Sequence, residues 1–425
     1  MATDTSNAGG RGRLLDWLDR RLPIRALIES QLTRYYPPRN LNAWYYFGVM
    51  ALVLLGLQIL SGIFLAMHYK PGAATAFDSI ERLTREVEWG WLIRYAHTGG
   101  ASFFFIVIYL HMFRALMYGS YKAPREVLWL LGMLLYLTLM AEAFLGYVLP
   151  WGNMSYWAAQ VIVNLFGTIP VIGPGLAEWI RGDYGLADST LNRFFSLHVI
   201  AIPLGLLLLV TLHLVALRTV GSNNPDGIEV KDKLDADGRP LDGIPFHPYY
   251  IVKDVLSVGV FLVVFATVLF FAPTFGGLFL EPANFEPANP SSTPEHIAPA
   301  WYFAPYYAIL RAVPDQRLGA LLTLLAVSSF LFLPWLDRSP VRSMRYKGWL
   351  SKSALGALAV SFVALGIIGL QPASPTGVAL ARGFALIYFA FFWLMPIYSR
   401  IERARVPPER VTREHRKWPV SAEDR

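Results

Sequence analysis

The chain has 425 residues, 55% of them hydrophobic and only 16% charged, with a formal net charge of +7 and a mean hydropathy of +0.41. Soluble chains carry nearer a quarter charged residues, so the composition excludes an ordinary soluble domain and points to a polytopic helical membrane protein. The absence of cysteine excludes disulfides, iron–sulfur ligation and thioether attachment of a cofactor by this chain. The positive charge fits basic loops on one side of a bilayer better than nucleic-acid binding.

In chain order, residues 1–43 are polar and basic and lack the early apolar core of a cleavable signal. Within them "LLDWLDRRLPIRALI" has the pattern of an amphipathic segment lying on the membrane surface. Eight apolar stretches follow, each long enough to span about 30 Å of hydrocarbon at about 1.5 Å per residue. They fall at 44–67, 92–118, 127–148, 192–218, 251–272, 317–336, 352–371 and 378–398. On one side the connections are basic ("YKAPRE", "DRSPVRSMRYKGWLSK"), as is the tail 401–425. On the other side, 273–310 holds Glu281, Glu286 and Glu295 and no Lys or Arg. The positive-inside rule then puts both termini in the cytoplasm. The expected fold is an all-α membrane protein of eight transmembrane helices. Residues 44–218 form a four-helix bundle and 219–400 carry the last four spans. The long outward loops 149–191 and 273–316 are the length expected of functional segments.

Two spans carry paired histidines. His97 and His111 are fourteen residues apart in the second, and His198 and His213 fifteen apart in the fourth. Fourteen residues are about 3.9 helical turns, so His97 and His111 share a face about 21 Å apart along the axis. Both spans run inward, which sets His97 with His198 at an outer depth and His111 with His213 at an inner one. Two imidazoles at each of two depths suit two stacked bis-histidine haems. The plainer alternative is four unrelated polar residues satisfied within a bundle, but ionisable residues inside spans are rare and usually functional. Gly48 and Gly62 in the first span, and Gly132 and Gly146 in the third, repeat the fourteen-residue period at the same two depths. Glycine there lets backbone approach the face of a planar cofactor. Arg94 and Arg114 each lie one turn from a histidine, suited to haem propionates or to interface snorkelling.

The outer-loop strings "GYVLPWGNMSYW" (146–157) and "TPEHIAPAWYFAPYYAILR" (293–311), with "GSNNPDG" (221–227) and "HPYYIVKD" (247–254) on the inner side, complete a pattern. From about residue 30 to 400 the chain resembles cytochrome b of the ubiquinol–cytochrome c reductase complex, in its bacterial unsplit form. The resemblance implies the catalytic subunit of a quinol–cytochrome c reductase working by a Q-cycle in a bacterial inner membrane. It implies a low-potential haem b at His97/His198 and a high-potential haem b at His111/His213. Its substrate would be ubiquinol. Its partners would be a Rieske iron–sulfur protein and a membrane-anchored c-type cytochrome, within a homodimeric complex. At the outer quinol site it implies Tyr147, Pro299, Trp301, Tyr302, Phe303 and Tyr307; at the inner site, Ser222, Lys253 and Asp254.

Two departures matter. The family's PEWY string reads "PAWY", so Ala300 stands where a proton-accepting glutamate is usual, and Glu142 or Glu295 are the expected substitutes, Glu142 favoured. Arg218 replaces a histidine usual in mitochondrial relatives, and is expected to hold a quinone carbonyl or a propionate. The fifteen-residue spacing turns one ligand by about 100° relative to fourteen, and Pro203 is expected to absorb part of that by a kink. The rival readings are another dihaem electron carrier, which lacks such an outer loop, and a histidine-coupled transporter, whose inverted repeats this sequence does not display.

Overall fold

The computed structural model describes residues 16–22, 29 and 32–411. Part of the amphipathic segment (23–28) and the tail 412–425 lie outside the described residues. Among the described residues the elements are helices and no strands, and eight helices are long and apolar enough to cross a membrane. All eight expected spans coincide with these helices.

The first half comprises α1 (Phe47–His68), a short interfacial α2 (Ala76–Glu86), α3 (Gly90–Tyr118) and α4 (Glu126–Val148). The first long loop folds into α5 (Asn153–Gly167) and α6 (Gly173–Arg181). The fourth span, Asp188–Val220, is composite. It begins as α7 (Asp188–Ser196), widens into one π turn at Leu197–Ala201, and continues as α8 (Ile202–Val220). The cause is local. Pro203 has no N–H for the carbonyl of Val199 and its ring crowds that turn, so the helix opens there and takes up one extra residue. His198 lies inside the widened turn. The fifteen-residue spacing is thus absorbed by a π turn rather than by the simple kink expected.

The second half comprises α9 (Ile251–Phe271), the loop helix α10 (Ala304–Ala312), α11 (Gln316–Ser328), α12 (Leu333–Leu336), α13 (Trp349–Leu370), α14 (Pro375–Trp393) and α15 (Met395–Ile401). α1 packs along α3, α4 along α8, and α10 between α13 and α14. The halves share one core, with Phe105, Met133 and Tyr136 from the first meeting Tyr302, Tyr306 and Phe330 from the second. Tyr136 and Tyr306 share a hydroxyl–hydroxyl hydrogen bond of 2.9 Å, and Trp129 Nε1 donates to the Phe330 carbonyl at 2.8 Å. These buried hydroxyl and indole groups thus find partners, as a hydrocarbon surround demands. Leu204, Leu208 and Val215 on α8, with Val255, Leu256 and Val263 on α9, are exposed, an apolar surface suited to lipid.

The basic connections form a cap over the end opposite the long loops. Asp226 accepts from Asn40 Nδ2 (2.9 Å), Arg345 Nη1 (2.6 Å) and the Tyr346 hydroxyl (2.8 Å). Asp337 pairs with Lys122 and Lys347. Burial by itself raises the Asp337 carboxyl, but the two ammonium groups outweigh it and hold the carboxyl below its usual range. We term the end with the long loops outer and the capped end inner.

Candidate functional site

α3 delivers His97 and the π turn delivers His198 to one cavity of about 230 Å³. Their ring centres are 6.2 Å apart and their planes cross at 84°. Two imidazole nitrogens at about 2.0–2.1 Å from a shared metal set ring centres about 6 Å apart, so the pair has the span of a two-imidazole clamp. The Nδ1 atoms are committed elsewhere. His97 Nδ1 is 2.9 Å from Ser61 Oγ, and His198 Nδ1 donates to the Glu142 carbonyl at 3.0 Å. That leaves the Nε2 atoms as the ligating pair, with ring orientation fixed from behind.

The glycines match the histidines one to one. A Cβ at Gly62 would lie 3.2 Å from His97 Cε1, and one at Gly146 would overlap the His198 ring, 2.9 Å from Nε2. At the inner depth, Cβ atoms at Gly48 and Gly132 would lie 3.5 Å and 3.3 Å from Cε1 of His111 and His213. Each imidazole therefore sits over a stretch of bare backbone, a cradle tightest at Gly146 and loosest at Gly48. His213 Nδ1 is buried without a hydrogen bond, and His111 Nδ1 faces Arg114 Nη2 at 3.4 Å. The donor set, the free Nε2 atoms and the cradles fit a non-covalent planar metal cofactor at each depth.

The outer cavity continues past the histidines to Tyr147, Asn284, Ala300 and Tyr302. Tyr302 stacks on Phe105 with ring centres 4.0 Å apart, and the Tyr109 hydroxyl donates to the Tyr302 carbonyl at 2.6 Å. Behind the wall, the Tyr147 hydroxyl donates to Glu281 Oε2 at 3.1 Å, and Asn284 Nδ2 donates to the same oxygen at 2.9 Å. Burial pushes the Glu281 carboxyl up to about 7 in spite of those two donors. Sequence reasoning passed over this triad, because Glu281 and Asn284 lie in an aperiodic loop and meet Tyr147 across 134 and 137 positions.

Of the expected outer residues, Tyr147, Tyr302 and Glu142 line the cavity; Pro299, Trp301, Phe303 and Tyr307 are not part of its lining. Trp301 instead donates from Nε1 to Ser102 Oγ at 3.1 Å, and Arg311 covers the Tyr307 ring. Glu295 is exposed and away from the cavity, whereas Glu142 sets Oε1 3.1 Å from His198 Nδ1. Arg94 lines the cavity, with its guanidinium held by Glu81 Oε1 at 3.1 Å and Thr84 Oγ1 at 2.9 Å.

On the inner side, the Arg218 guanidinium lies 4.0 Å from the Tyr35 ring centre, and the Tyr35 hydroxyl shares a 2.8 Å hydrogen bond with Ser222 Oγ. Arg218 Nη1 and Asp254 Oδ1 are buried without hydrogen bonds. Arg218 and Ser222 thus meet at Tyr35, which the sequence did not single out, and Asp254 lies within electrostatic reach of Arg218. Lys253 is exposed, beside the Tyr250 ring.

Comparisons with known proteins agree with this architecture. The family model described as Cytochrome b/b6/petB matches residues 32–221, and the one described as Cytochrome b(C-terminal)/b6/petD matches 287–389. The chain is 56% identical over 406 residues to a cytochrome b of Allochromatium vinosum, covering 94% of this chain and 98% of that one. It is 44% identical over 399 residues to a protein of Bradyrhizobium diazoefficiens named cytochrome b/c1, covering 94% of this chain and 56% of that one. A solved structure of a hyperthermophilic respiratory complex III aligns with a TM-score of 0.84 at 40% identity, over 91% of this chain and 99% of its own.

Proposed function

The chain belongs to the cytochrome b family, the membrane core of respiratory complex III, and from that premise we propose that it oxidises quinol at the outer end and reduces quinone at the inner end in a proton-translocating Q-cycle. One observation carries the reading: His97 and His198 face each other with ring centres 6.2 Å apart, and each of the four intramembrane histidines lies against a glycine. These residues fit two haem b groups, the low-potential one at His97/His198 and the high-potential one at His111/His213. When bound, the haems supply single-electron carriage between the two depths.

The rest is done by the side chains. Phe105, Tyr302 and the apolar cavity wall exclude water from the quinol. As a quinol O–H bond breaks, the Tyr147 oxygen takes that proton and passes its own to Glu281 Oε2, to which it is already hydrogen-bonded. A carboxyl pushed to about 7 is suited to that exchange at neutral pH. In this reading Glu281 takes the proton through Tyr147, while Glu142, which also lines the cavity, faces His198. At the inner end, Arg218 and Ser222 are suited to hold quinone carbonyls and Asp254 to deliver a proton.

Quinol yields two electrons, and this cysteine-free chain cannot hold an iron–sulfur acceptor for the one leaving outward. That supports a Rieske iron–sulfur protein and a membrane-anchored c-type cytochrome as partners in a homodimeric complex, and the relative named cytochrome b/c1 points the same way. The basic inner cap supports a bacterial inner membrane with both termini cytoplasmic, and ubiquinol is the proposed substrate. A reduced-minus-oxidised spectrum of the purified complex tests the reading. The expected result is two b-type components, one reducible by ubiquinol while an inner-site inhibitor is present. A colourless preparation overturns it.

A further inference from the structure

The two ligand pairs differ in the charge held against their rings. At the outer pair, the Glu142 carbonyl accepts from His198 Nδ1 at 3.0 Å, and the same residue sets its carboxylate Oε1 3.1 Å from that nitrogen. Glu142 Oε2 is buried and has no hydrogen-bond partner, and among the described residues no Lys or Arg pairs with this carboxylate. The cation nearest at hand on the cavity wall, Arg94, is engaged by Glu81 and Thr84, which leaves the Arg94–Glu81 pair without net charge. The inner pair is the reverse. Arg114 Nη2 lies 3.4 Å from His111 Nδ1, Arg114 Nε is buried without a hydrogen bond, and no carboxylate pairs with Arg114 among the described residues.

We propose that Glu142 is a positioning residue that lowers the redox potential of the outer haem by acting through His198. The inference rests on the haem reading above and adds to it the cause of the difference between the two haems. A carboxylate held against the Nδ1–H edge of the ring polarises that bond and raises the basicity of the imidazole, and a more basic ligand would favour the oxidised iron of a haem bound there. The negative charge acts in the same direction, because reduction adds an electron next to a carboxylate in a medium of low dielectric. Neither effect operates at the inner pair, where the neighbouring group is a cation. A haem held at the outer pair would thus be the more easily oxidised, and one at the inner pair the more easily reduced. Glu142 requires no contact with quinol for this role.

The test is an equilibrium redox titration of the assembled complex, with both haems followed optically, for the parent, Glu142→Gln and Glu142→Thr. Glutamine keeps the shape and loses the charge. Threonine is neutral and smaller, and serves where the glutamine variant does not accumulate. The expected result in either variant is a reduced-to-oxidised ratio of the outer haem about tenfold higher at a fixed ambient potential, which for one electron is an upward shift of about 59 mV. The inner haem keeps its potential. An unmoved outer potential in a variant that retains both haems overturns the proposal, as does an equal shift of both. Absence of haem from the parent complex overturns the underlying haem reading instead, so the two failures are distinct.

Discussion

At the outer end both Nδ1 atoms have protein partners, the cavity is open enough to reach the long loops, and the nearest uncommitted charge is the Glu142 carboxylate. At the inner end His213 Nδ1 has no partner, His111 faces the Arg114 guanidinium, and the polar groups gather around Tyr35 instead. One repeated device, a histidine over a glycine, is thus set in two electrostatic surroundings. The difference teaches that the period of the ladder positions a cofactor, while residues outside the ladder decide what happens there.

The comparison breaks most sharply at the ligands. Replacing His198 with leucine is expected to remove the low-potential haem signal completely and leave the high-potential one, and His111→Leu to do the converse; difference spectra after redox titration read both. If either substitution removed both signals or neither, the two-depth scheme would fall.

Next in size is the outer acid. Glu281 accepts a proton only when ionised, so with its carboxyl near 7 the quinol oxidation rate should rise as pH passes upward through that value. In Glu281→Gln the rise should vanish and the rate at pH 8 should drop by about 10²-fold, at the low end for loss of a general base. A Gln variant that keeps the parent pH profile would return the role to another group.

The glycines sharpen the contrast further. Gly146→Ala forces a Cβ into the His198 ring, whereas Gly48→Ala meets His111 at an ordinary 3.5 Å. The former should cost about 1–3 kcal/mol as overpacking and deplete the outer haem, while the latter is tolerated; haem content per polypeptide measures this. The smallest effect is expected from Tyr35→Phe, which removes the hydroxyl shared with Ser222. It costs about 1 kcal/mol, seen as roughly fivefold slower reoxidation of the inner haem by quinone with the outer rate unchanged.

The sequence by itself determined the eight spans and the registers of His97, His111, His198 and His213 with their four glycines. Those features are written in local periodicity, and a helix in hydrocarbon must satisfy its own backbone, so length and spacing translate directly into depth. Only the tertiary structure decided how the fifteenth residue is absorbed, since a kink and a π turn both agree with Pro203 in the sequence. It alone brought Glu281 and Asn284 to Tyr147, Tyr35 to Ser222, and Glu81 to Arg94, while leaving Glu295 and Lys253 exposed. Most of these partners lie on loops or termini, where no period links sequence position to direction. Which polar groups meet there is fixed by how the packed helices carry their connections across the ends of the bundle.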